Sequence, residues 1–396
     1  MKHYVGLDVS NIETSICIVD QEGNIVKEAK VASDPMSIDA YLRKTKMEFE
    51  SIGLEAGALS HWLVNGLRTN GWSVVCIDTR FMAAILSTNV NKTDRNDARS
   101  IANAIRCKNY REVHVKSIES VVTNCLLTAR KMLVHQKMQV SGTIRGLLKT
   151  FGIKLPKGGK SLRESIKEAI SSDINSGKYT LAPHIDLSVI ETLLVCYEKA
   201  SEQLGILDDK LESLAKTDLV IKRLMTHPGV GPVTATAYKA EIDDPKRFKK
   251  SRSVGAYLGM TPRQFSSGEI VRQGRVSKNG SREVRALLHE AGVVVVTKVK
   301  AKSRLKKWGL KKKVKLKTQK AGMAVGRKIA INLHQMWIKG KDFDPQMDVE
   351  DFDYGKESQQ NTNSKTRKSR KNIPHVDKKD SVRGAGEKIK KARKVA

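Results

Sequence analysis

The chain lacks the patterns that anchor a protein in a membrane or crosslink it outside the cell. No apolar run approaches the ~20 residues of a membrane-spanning helix, and the run from Ala291 to Val296 is far too short. The five cysteines are scattered, without the CxxC or CxxH spacing of zinc sites or disulfide frameworks. The first ten residues run straight into a strand pattern and do not form a signal peptide. We therefore expect a protein of the reducing cytoplasm.

Acidic residues are too few to balance the basic ones. There are 73 lysines and arginines against 42 aspartates and glutamates, which gives a formal net charge of +31. From Lys298 to Lys328 the chain has fourteen basic residues and no acidic one. A solvated helix face normally mixes both signs, so this excess favours a polyanionic partner, most often nucleic acid, over the simple alternative of a solvated face.

The N-terminal third has the pattern of an α/β domain. Residues 3–32 contain three successive strand-like runs, with the tight turn QEGN between the second and the third. Helices and strands then alternate: we predict helices at 35–50, 60–69 and 94–107, and strands at 51–57 and 72–79. Three antiparallel strands followed by alternating units predict a ribonuclease H-like α/β fold.

The rest of the chain reads as mainly helical. Residues 118–151 and 186–225 predict long helices, and the second, which has no proline, is typical of a coiled-coil arm. HPGVGP, at 227–232, ends the arm and opens a region of short helices around a loop. Residues 356–396, rich in Lys, Ser, Asn and Gln, predict a disordered basic tail.

Four acidic residues stand where such a sheet could gather them. Asp8 lies in the first strand and Glu55 in the fourth, while Asp94 and Asp97 share one helix face. Buried carboxylates are costly unless they are partnered, and oxygen-only ligands favour Mg²⁺ or Mn²⁺ over zinc. Two such ions could support phosphodiester transfer. Asp94 could instead be a plain helix N-cap. The motif around Asp8 also resembles the phosphate loop of sugar-kinase and actin-like ATPases, but no second Gly-rich phosphate loop follows.

Two loops complete the set of candidate sites. Gly229 and Gly231 in HPGVGPVTA indicate a helix–hairpin–helix turn whose backbone N–H groups could face a DNA phosphate; the alternative is a plain helix connector. In PRQFSSGEIVRQGRVSKNG, Ser266 and Ser267 precede a glycine among cations. A serine so placed could attack a phosphodiester, although no histidine is near to act as base and such a stretch is usually only a loop. The neighbouring cations are Arg263, Arg272, Arg275 and Lys278.

These motifs, in this order and spacing, resemble the DEDD-type transposases of insertion-sequence family 110, recombinases related to the Piv site-specific invertases. The stretches that carry the resemblance are YVGLDVS, GLEAG, NKTDRNDA, HPGVGPVTA, YLGMTPRQFSSGE and GRVSKNGSREVRALL, which span about residues 1–340. The basic tail departs from the family pattern.

The resemblance implies three regions: a ribonuclease H-like (Holliday-resolvase-like) catalytic domain at 1–117, a helical coiled-coil linker at 118–225 and a helical transposase domain at 226–340. Composition adds the disordered basic tail at 341–396. It implies Asp8, Glu55, Asp94 and Asp97 as a tetrad that binds Mg²⁺ or Mn²⁺. It also implies Ser267 as the nucleophile, with Ser266 in reserve.

The partners implied by the resemblance are donor and target DNA, a non-coding bridge RNA that pairs with both, and further copies of the chain in a dimer or tetramer. Active sites would combine the acidic domain of one subunit with the serine loop of another. The resemblance implies a bacterial, nucleoid-associated protein with no membrane partner. Two other functions stay open: a junction-resolving nuclease that uses water as nucleophile, and a non-enzymatic nucleic-acid-binding protein.

Overall fold

The computed structural model describes residues 2–87, 93–156, 161–175, 184–267 and 270–346, and it describes Ser267 by its backbone alone. The predicted basic tail at 356–396 lies outside these residues. Two compact units are present: one contains the chain up to Thr261 and from Ser277 onward, and the other contains the segment Pro262–Val276.

A five-stranded mixed sheet organises the N-terminal part of the larger unit. Its strands are β1 (His3–Val9), β2 (Glu13–Val19), β3 (Ile25–Ala32), β4 (Phe49–Glu55) and β5 (Val74–Ile77), in the spatial order β3-β2-β1-β4-β5. β1, β2 and β3 pair antiparallel, whereas β4 pairs parallel with both β1 and β5. This is the predicted ribonuclease H-like arrangement, which the structure confirms.

Helices cover both faces of this sheet. They are α1 (Pro35–Lys44), α2 (Ser60–Thr69), α3 (Thr79–Leu86) and α4 (Asp94–Arg106). Val5 and Leu7 of β1 share a core with Ile38 of α1 and Leu63 of α2. On the opposite face α4 lies directly on the sheet, where it packs Ala98 and Ala102 beside Cys17 and Val19 of β2.

Two predictions for this part were inaccurate. The helix expected to reach residue 50 ends at Lys44, because Lys46 takes a positive φ of 55° that closes it, and β4 begins at Phe49. Sequence analysis also missed α3. Asp78 caps this helix by accepting hydrogen bonds from the backbone N–H groups of Arg80 and Phe81.

The middle of the chain is an arm of long helices. It comprises α5 (Ile118–Thr150), α6 (Leu162–Asn175), α7 (Leu187–Thr217) and α8 (Leu219–Leu224). Ile144 and Leu148 of α5 pack against Ile190 and Leu194 of α7. The helix predicted over 186–225 is broken at Asp218, whose carboxylate accepts from two backbone N–H groups to cap α8. α6 was not predicted.

The C-terminal part of the larger unit is helical. It contains α9 (Pro232–Ile242), a short 3-10 turn (Pro245–Arg247), α10 (Arg252–Tyr257), α11 (Arg282–Thr297) and α12 (Arg304–Lys339). α12 bends sharply at Lys317, which has φ 63° and ψ 166°. Within the described ranges, no helix has both the length and the apolar character needed to cross a membrane.

The smaller unit is a strand pair. β6 (Pro262–Ser267) and β7 (Ile270–Val276) form an antiparallel two-stranded sheet. Sequence analysis placed this stretch in a loop among short helices, which the structure corrects. The polar, cation-rich segment carries no alternating apolar face, so it gave no strand signal.

Candidate active site

Asp8 and Glu55 stand side by side at the carboxyl ends of two central strands. β1 and β4 run parallel, and their pairing places Gly6 opposite Gly53 and Leu7 opposite Leu54. Asp8 and Glu55 are the next positions in this register, and both are half-buried. Because side chains alternate along a strand, Asp8 shares the sheet face of Gly6, and Glu55 shares that of Gly53.

That face is the one that α4 covers. A Cβ atom on Gly6 would lie 2.1 Å from the carbonyl oxygen of Ala98, and one on Gly53 would lie 2.3 Å from Ile105.

The last residue of α4, Arg106, donates to the Gln21 carbonyl near the start of β1. Its first residue, Asp94, pairs with Lys30, which lies in register with Ser15, the partner of Asp8. α4 therefore runs antiparallel to β1, and its first turn lies toward the ends of the strands that carry Asp8 and Glu55.

The first turn of α4 carries the other two acidic residues. Thr93 is the N-cap, since its side chain accepts from the backbone N–H of Asn96. The alternative in which Asp94 serves as the cap is therefore wrong. Asp97 is only 6% exposed. Its Oδ1 atom is buried and has no hydrogen-bond partner in the described part of the chain.

Asp94 has a different environment. Its side chain is 65% exposed, and Lys30 Nζ of β3 lies 3.4 Å from its Oδ2 atom. This ion pair holds Asp94 toward solvent, away from the buried position of Asp97. The structure thus distinguishes the two carboxylates that sequence spacing treats as equivalent.

The four acidic side chains offer the kind of ligand atom that a divalent cation binds. All four residues offer carboxylate oxygens, the preferred ligands of Mg²⁺ and Mn²⁺, and Asp97 Oδ1 is a buried acceptor still in need of a partner. However, no three His, Cys, Asp or Glu groups come close enough to hold one ion among the residues that the structure describes. The residues fit a metal by type and by place in the fold, and binding would have to draw them together.

The candidate serines lie at the end of the β6–β7 strand pair. Ser266 pairs with Val271, and Ser267 pairs with Ile270. Gly268, which follows them, lies outside the described residues. Arg272 pairs with Phe265 across the strands. Three of the candidate cations lie on this pair, and all three are exposed: Arg263, Arg272 and Arg275.

Lys278 belongs to the larger unit and comes just after this segment in the chain. Its backbone has a positive φ of 59°, and its N–H donates to the carbonyl of Gly259 at 3.1 Å. The N–H of Ser277 donates to the carbonyl of Thr261 at 2.8 Å. The two ends of the strand pair therefore leave the larger unit at one place.

The predicted helix–hairpin–helix turn lies between α8 and α9. Gly231 caps α9, and a Cβ atom there would meet nothing within 4 Å, so packing does not require glycine at this position. Gly229 differs: with φ 83°, it packs so closely on α11 that a Cβ atom would lie 2.8 Å from the carbonyl of Ala291. The packing of α11 is thus a sufficient reason for glycine at 229.

Contacts between distant segments were invisible in the sequence. Arg80 of α3 donates from Nη1 to Asn279 Oδ1 at 2.7 Å, beside the base of the strand pair. Lys131 of α5 forms an ion pair with Glu283 of α11 at 2.9 Å. Neither pair has a local sequence signature, since the partners are far apart in the chain.

Asp243 joins the end of α9 to the start of α5. It has a positive φ of 61°, and it accepts hydrogen bonds from the Ser117 backbone and hydroxyl and contacts His114 Nε2 at 2.6 Å. Burial opposes its ionisation, but the hydrogen bonds from Ser117, Ser120 and His114 outweigh that effect and hold the pKa of Asp243 well below its usual range. A second ion pair, Lys116 to Glu241 at 2.6 Å, reinforces the junction.

Two family profiles match the chain. Residues 5–153, which include the whole acidic set, match a DEDD-type IS110 profile described as "Transposase". Residues 221–307, which include the helix–hairpin–helix turn and the serine segment, match the profile described as "Transposase IS116/IS110/IS902 family". The two matches keep the order expected from the motifs.

Several full proteins are similar to the chain. The transposase for insertion sequence element IS1111A of Coxiella burnetii is 28% identical over 78% of this chain and 81% of its own length. A probable family 20 transposase of Pseudomonas aeruginosa is 29% identical over 64% of this chain and 74% of its own.

One solved structure, Thermus thermophilus RuvC, overlaps 28% of this chain and 99% of its own at 11% identity, with a TM-score of 0.23. A score so low does not bear on function. The family assignment depends on the two profiles, which match residues 5–153 and 221–307. The chain belongs to the IS110 family of DEDD transposases, enzymes of DNA recombination.

Proposed function

We propose that this transposase cuts and rejoins DNA through Asp8, Glu55, Asp94 and Asp97 together with Ser267, guided by a bridge RNA. The observation that carries the proposal is Asp97. Its buried, unpartnered Oδ1 atom lies on the helix that covers the sheet face of Asp8 and Glu55. A carboxylate oxygen left buried without a partner costs free energy, so its retention indicates a ligand that is bound during function.

The acidic residues would hold Mg²⁺ or Mn²⁺, which would supply Lewis-acid stabilisation of charge on phosphate and on hydroxyl oxygens. Asp8 and Glu55 provide acceptors from the rigid centre of the sheet, and Asp97 provides one from α4. Asp94 would bind the metal only after its ion pair with Lys30 is broken.

Ser267 would act as the nucleophile. Its hydroxyl oxygen forms a bond to phosphorus while the bond from phosphorus to one deoxyribose oxygen breaks. The serine proton leaves, and the departing deoxyribose oxygen keeps the bonding electrons and gains a proton. The phosphoserine ester conserves bond energy, so a second hydroxyl can rejoin the strand by reversing the step. The exposed Arg263, Arg272 and Arg275 would bind the scissile phosphate and its neighbours, with Lys278 and the Gly231 backbone as further contacts.

The wider assembly follows from the family resemblance. The bridge RNA would pair with donor and target DNA, and the net charge of +31 suits a protein that carries both nucleic acids. A dimer or tetramer would let the acidic domain of one subunit meet the serine segment of another. A nucleoid-associated location in the bacterial cytoplasm would follow from these partners.

The test uses purified protein, the RNA that co-purifies from the native locus, and DNA spanning its matching sites. Ser267→Ala should abolish both strand exchange and the DNA-linked protein band on a denaturing gel. Ser266→Ala is the matched control and should keep both. A mixture of Ser267→Ala and Asp8→Asn proteins should recover part of the activity if sites are shared between subunits.

The outcomes separate the possible functions. Recombination by Ser267→Ala but not by Ser266→Ala would move the nucleophile to Ser266. Recombination by the double serine variant would overturn the covalent mechanism and favour water as nucleophile. Wild-type strand cleavage by Asp8→Asn would refute the role of the acidic set, and absence of specific RNA would refute guidance.

A further inference from the structure

The first half of α12 carries a dense basic face that the chemistry above does not use. From Arg304 to Leu316, seven of thirteen residues are lysine or arginine and none is acidic. Lys307, Lys311 and Lys315 recur every fourth residue, and all three are exposed. With a rise of ~1.5 Å per residue, this row is about 12 Å long on one side of the helix.

Two residues of the same segment, Leu305 and Gly309, are buried by packing. Leu305 is 2% exposed, and a Cβ atom on Gly309 would lie 2.8 Å from both Val296 of α11 and Val325 of the second half of α12. The bend at Lys317 makes this possible, because it folds the first half of the helix back beside the second. The segment is therefore fixed in place and presents its basic face outward.

Aromatic packing holds the segment from one side as well. Lys312 Nζ and Lys328 Nζ each lie 5.4 Å from the ring centroid of Trp308. The contact of Lys328 with Trp308 links the two halves of α12 across the bend, whereas that of Lys312 lies within the first half. The two contacts also leave the row of Lys307, Lys311 and Lys315 uninvolved, since these three face away from the packed side.

The row is electrostatically unfavourable in the isolated chain. Like charges four residues apart on a helix repel, and the first turn of α12 has no acidic residue to match the positive end of the helix dipole. None of the eleven lysines from Lys298 to Lys320 forms an ion pair with a carboxylate in the part of the chain that the structure covers. A rigid row of unneutralised cations is suited to a regularly spaced polyanion.

We propose that the exposed row Lys307–Lys311–Lys315 binds the phosphate backbone of duplex DNA without reading its sequence. Its length is close to the ~12 Å width of the major groove of B-DNA, so a row laid across the groove can reach phosphates on both of its edges. DNA is the substrate of this family of enzymes. An anionic lipid surface is the competing partner, because Leu310 and Val314 are exposed on the same segment, and the vesicle measurement below separates the two.

The experiment measures binding of the full-length protein to a 30-base-pair duplex of arbitrary sequence, by fluorescence anisotropy, across a salt series. The variant combines Lys307→Gln, Lys311→Gln and Lys315→Gln. Each neutralised phosphate adds about 0.9 to the slope of log affinity against log salt. The triple variant should therefore flatten the slope by about 2 to 3 and weaken binding about tenfold or more at 0.1 M salt.

A second triple variant controls for charge alone. Lys44 of α1, Lys108 in the turn after α4 and Lys210 of α7 are exposed and far apart in the chain, so changing all three to Gln removes the same charge without removing a row. The control should keep most of the affinity and slope. The row variant should melt at or above the wild-type temperature, because it removes repulsion between helix neighbours.

Three results would overturn the proposal. The first is an equal loss of DNA affinity in the two triple variants, which would mean that only net charge matters. The second is loss of binding to single-stranded or duplex RNA of the same length while duplex DNA binding is kept. The third is loss of binding to vesicles containing anionic lipid while DNA binding is kept.

Discussion

Gly6 and Ala98 are in direct backbone contact between the sheet and the helix that carries two of the four acidic residues. A Cβ atom at Gly6 would lie 2.1 Å from the Ala98 carbonyl oxygen and 2.4 Å from the Ala102 nitrogen. The position of Asp97 relative to Asp8 is therefore set by the absence of a side chain at Gly6.

Gly6→Ala should destabilise the domain and displace α4. Overpacking of this kind costs about 1–3 kcal/mol, measurable as a lower urea midpoint, and cleavage should fall further than stability explains because Asp94 and Asp97 move with the helix. Gly146→Ala is the matched control: that glycine has open space in α5, and the change should raise helix stability by about 0.5–1 kcal/mol. An unchanged urea midpoint and full cleavage for Gly6→Ala would contradict the packing argument.

Addition of Mn²⁺ should raise the melting temperature of the wild-type protein, and chelation should reverse the rise. At 100 times the dissociation constant, a ligand that binds only the folded state adds about 2.7 kcal/mol. Asp97→Asn should remove this stabilisation, and without metal it should melt no lower than wild type, because the buried Oδ1 atom has no hydrogen bond to lose. Asp209→Asn, on the exposed face of α7, is the control and should keep the full response. A full Mn²⁺ response in Asp97→Asn would place the ion elsewhere.

The buried ring of His227 should make the protein less stable in weak acid. Burial lowers the pKa of His227 from 6.5 to about 4, so the unfolded chain takes up a proton there before the folded one does. Stability is full above pH 6.5 and is lost as the pH falls toward 4; between pH 7.5 and 5 this loss is about 2 kcal/mol. Urea unfolding at the two pH values measures it.

His227→Gln should show a loss about 2 kcal/mol smaller between the same pH values, whatever its stability at pH 7.5. His135, exposed on α5, supplies the control: His135→Gln should keep the wild-type difference. If His227→Gln and wild type lost the same free energy, the acid sensitivity would belong to other groups.

Asp243→Asn should weaken the junction between α5 and α9. Asn tolerates a positive φ, so the change tests the charge and not the backbone. Hydrogen bonds to a charged acceptor contribute about 1.5–3 kcal/mol each, so we expect a loss of about 2 kcal/mol at neutral pH. Because the pKa of Asp243 is lowered in the folded state, this contribution is present above the unfolded pKa and disappears as the pH falls through and below it. Wild-type stability of the variant at pH 7 would rule out the charge as the cause.

The sheet was predictable because its signals are local. Alternating and continuous apolar runs mark β1 to β5, and helix caps such as Asp34 of α1 lie within a few residues of what they cap. The position of the acidic residues along these elements was predictable for the same reason. The α3 helix was missed because it has only eight residues and starts at the last residue of the predicted strand at 72–79.

The remaining features depend on distant partners. Nothing near Lys317 in the sequence, neither proline nor glycine, indicates a bend there; Gly309 and Val325 meet only once the helix has folded back. Likewise, Asp94 and Asp97 have the same spacing signal, and only the approach of Lys30 on β3 separates the exposed carboxylate from the buried one. Contacts of this kind are decided by tertiary packing, which a local pattern does not record.

The hydrogen bond from Ser277 N–H to the Thr261 carbonyl has a consequence for how this enzyme can diversify. This bond fixes the distance between the two ends of the segment 262–276. Insertions or deletions between these two residues change only the length of the loop that they close. The free-energy cost of a longer loop grows slowly with its length. We therefore expect that the segment 262–276 can be replaced by that of a relative, or redesigned, while α10 and α11 on either side keep their positions.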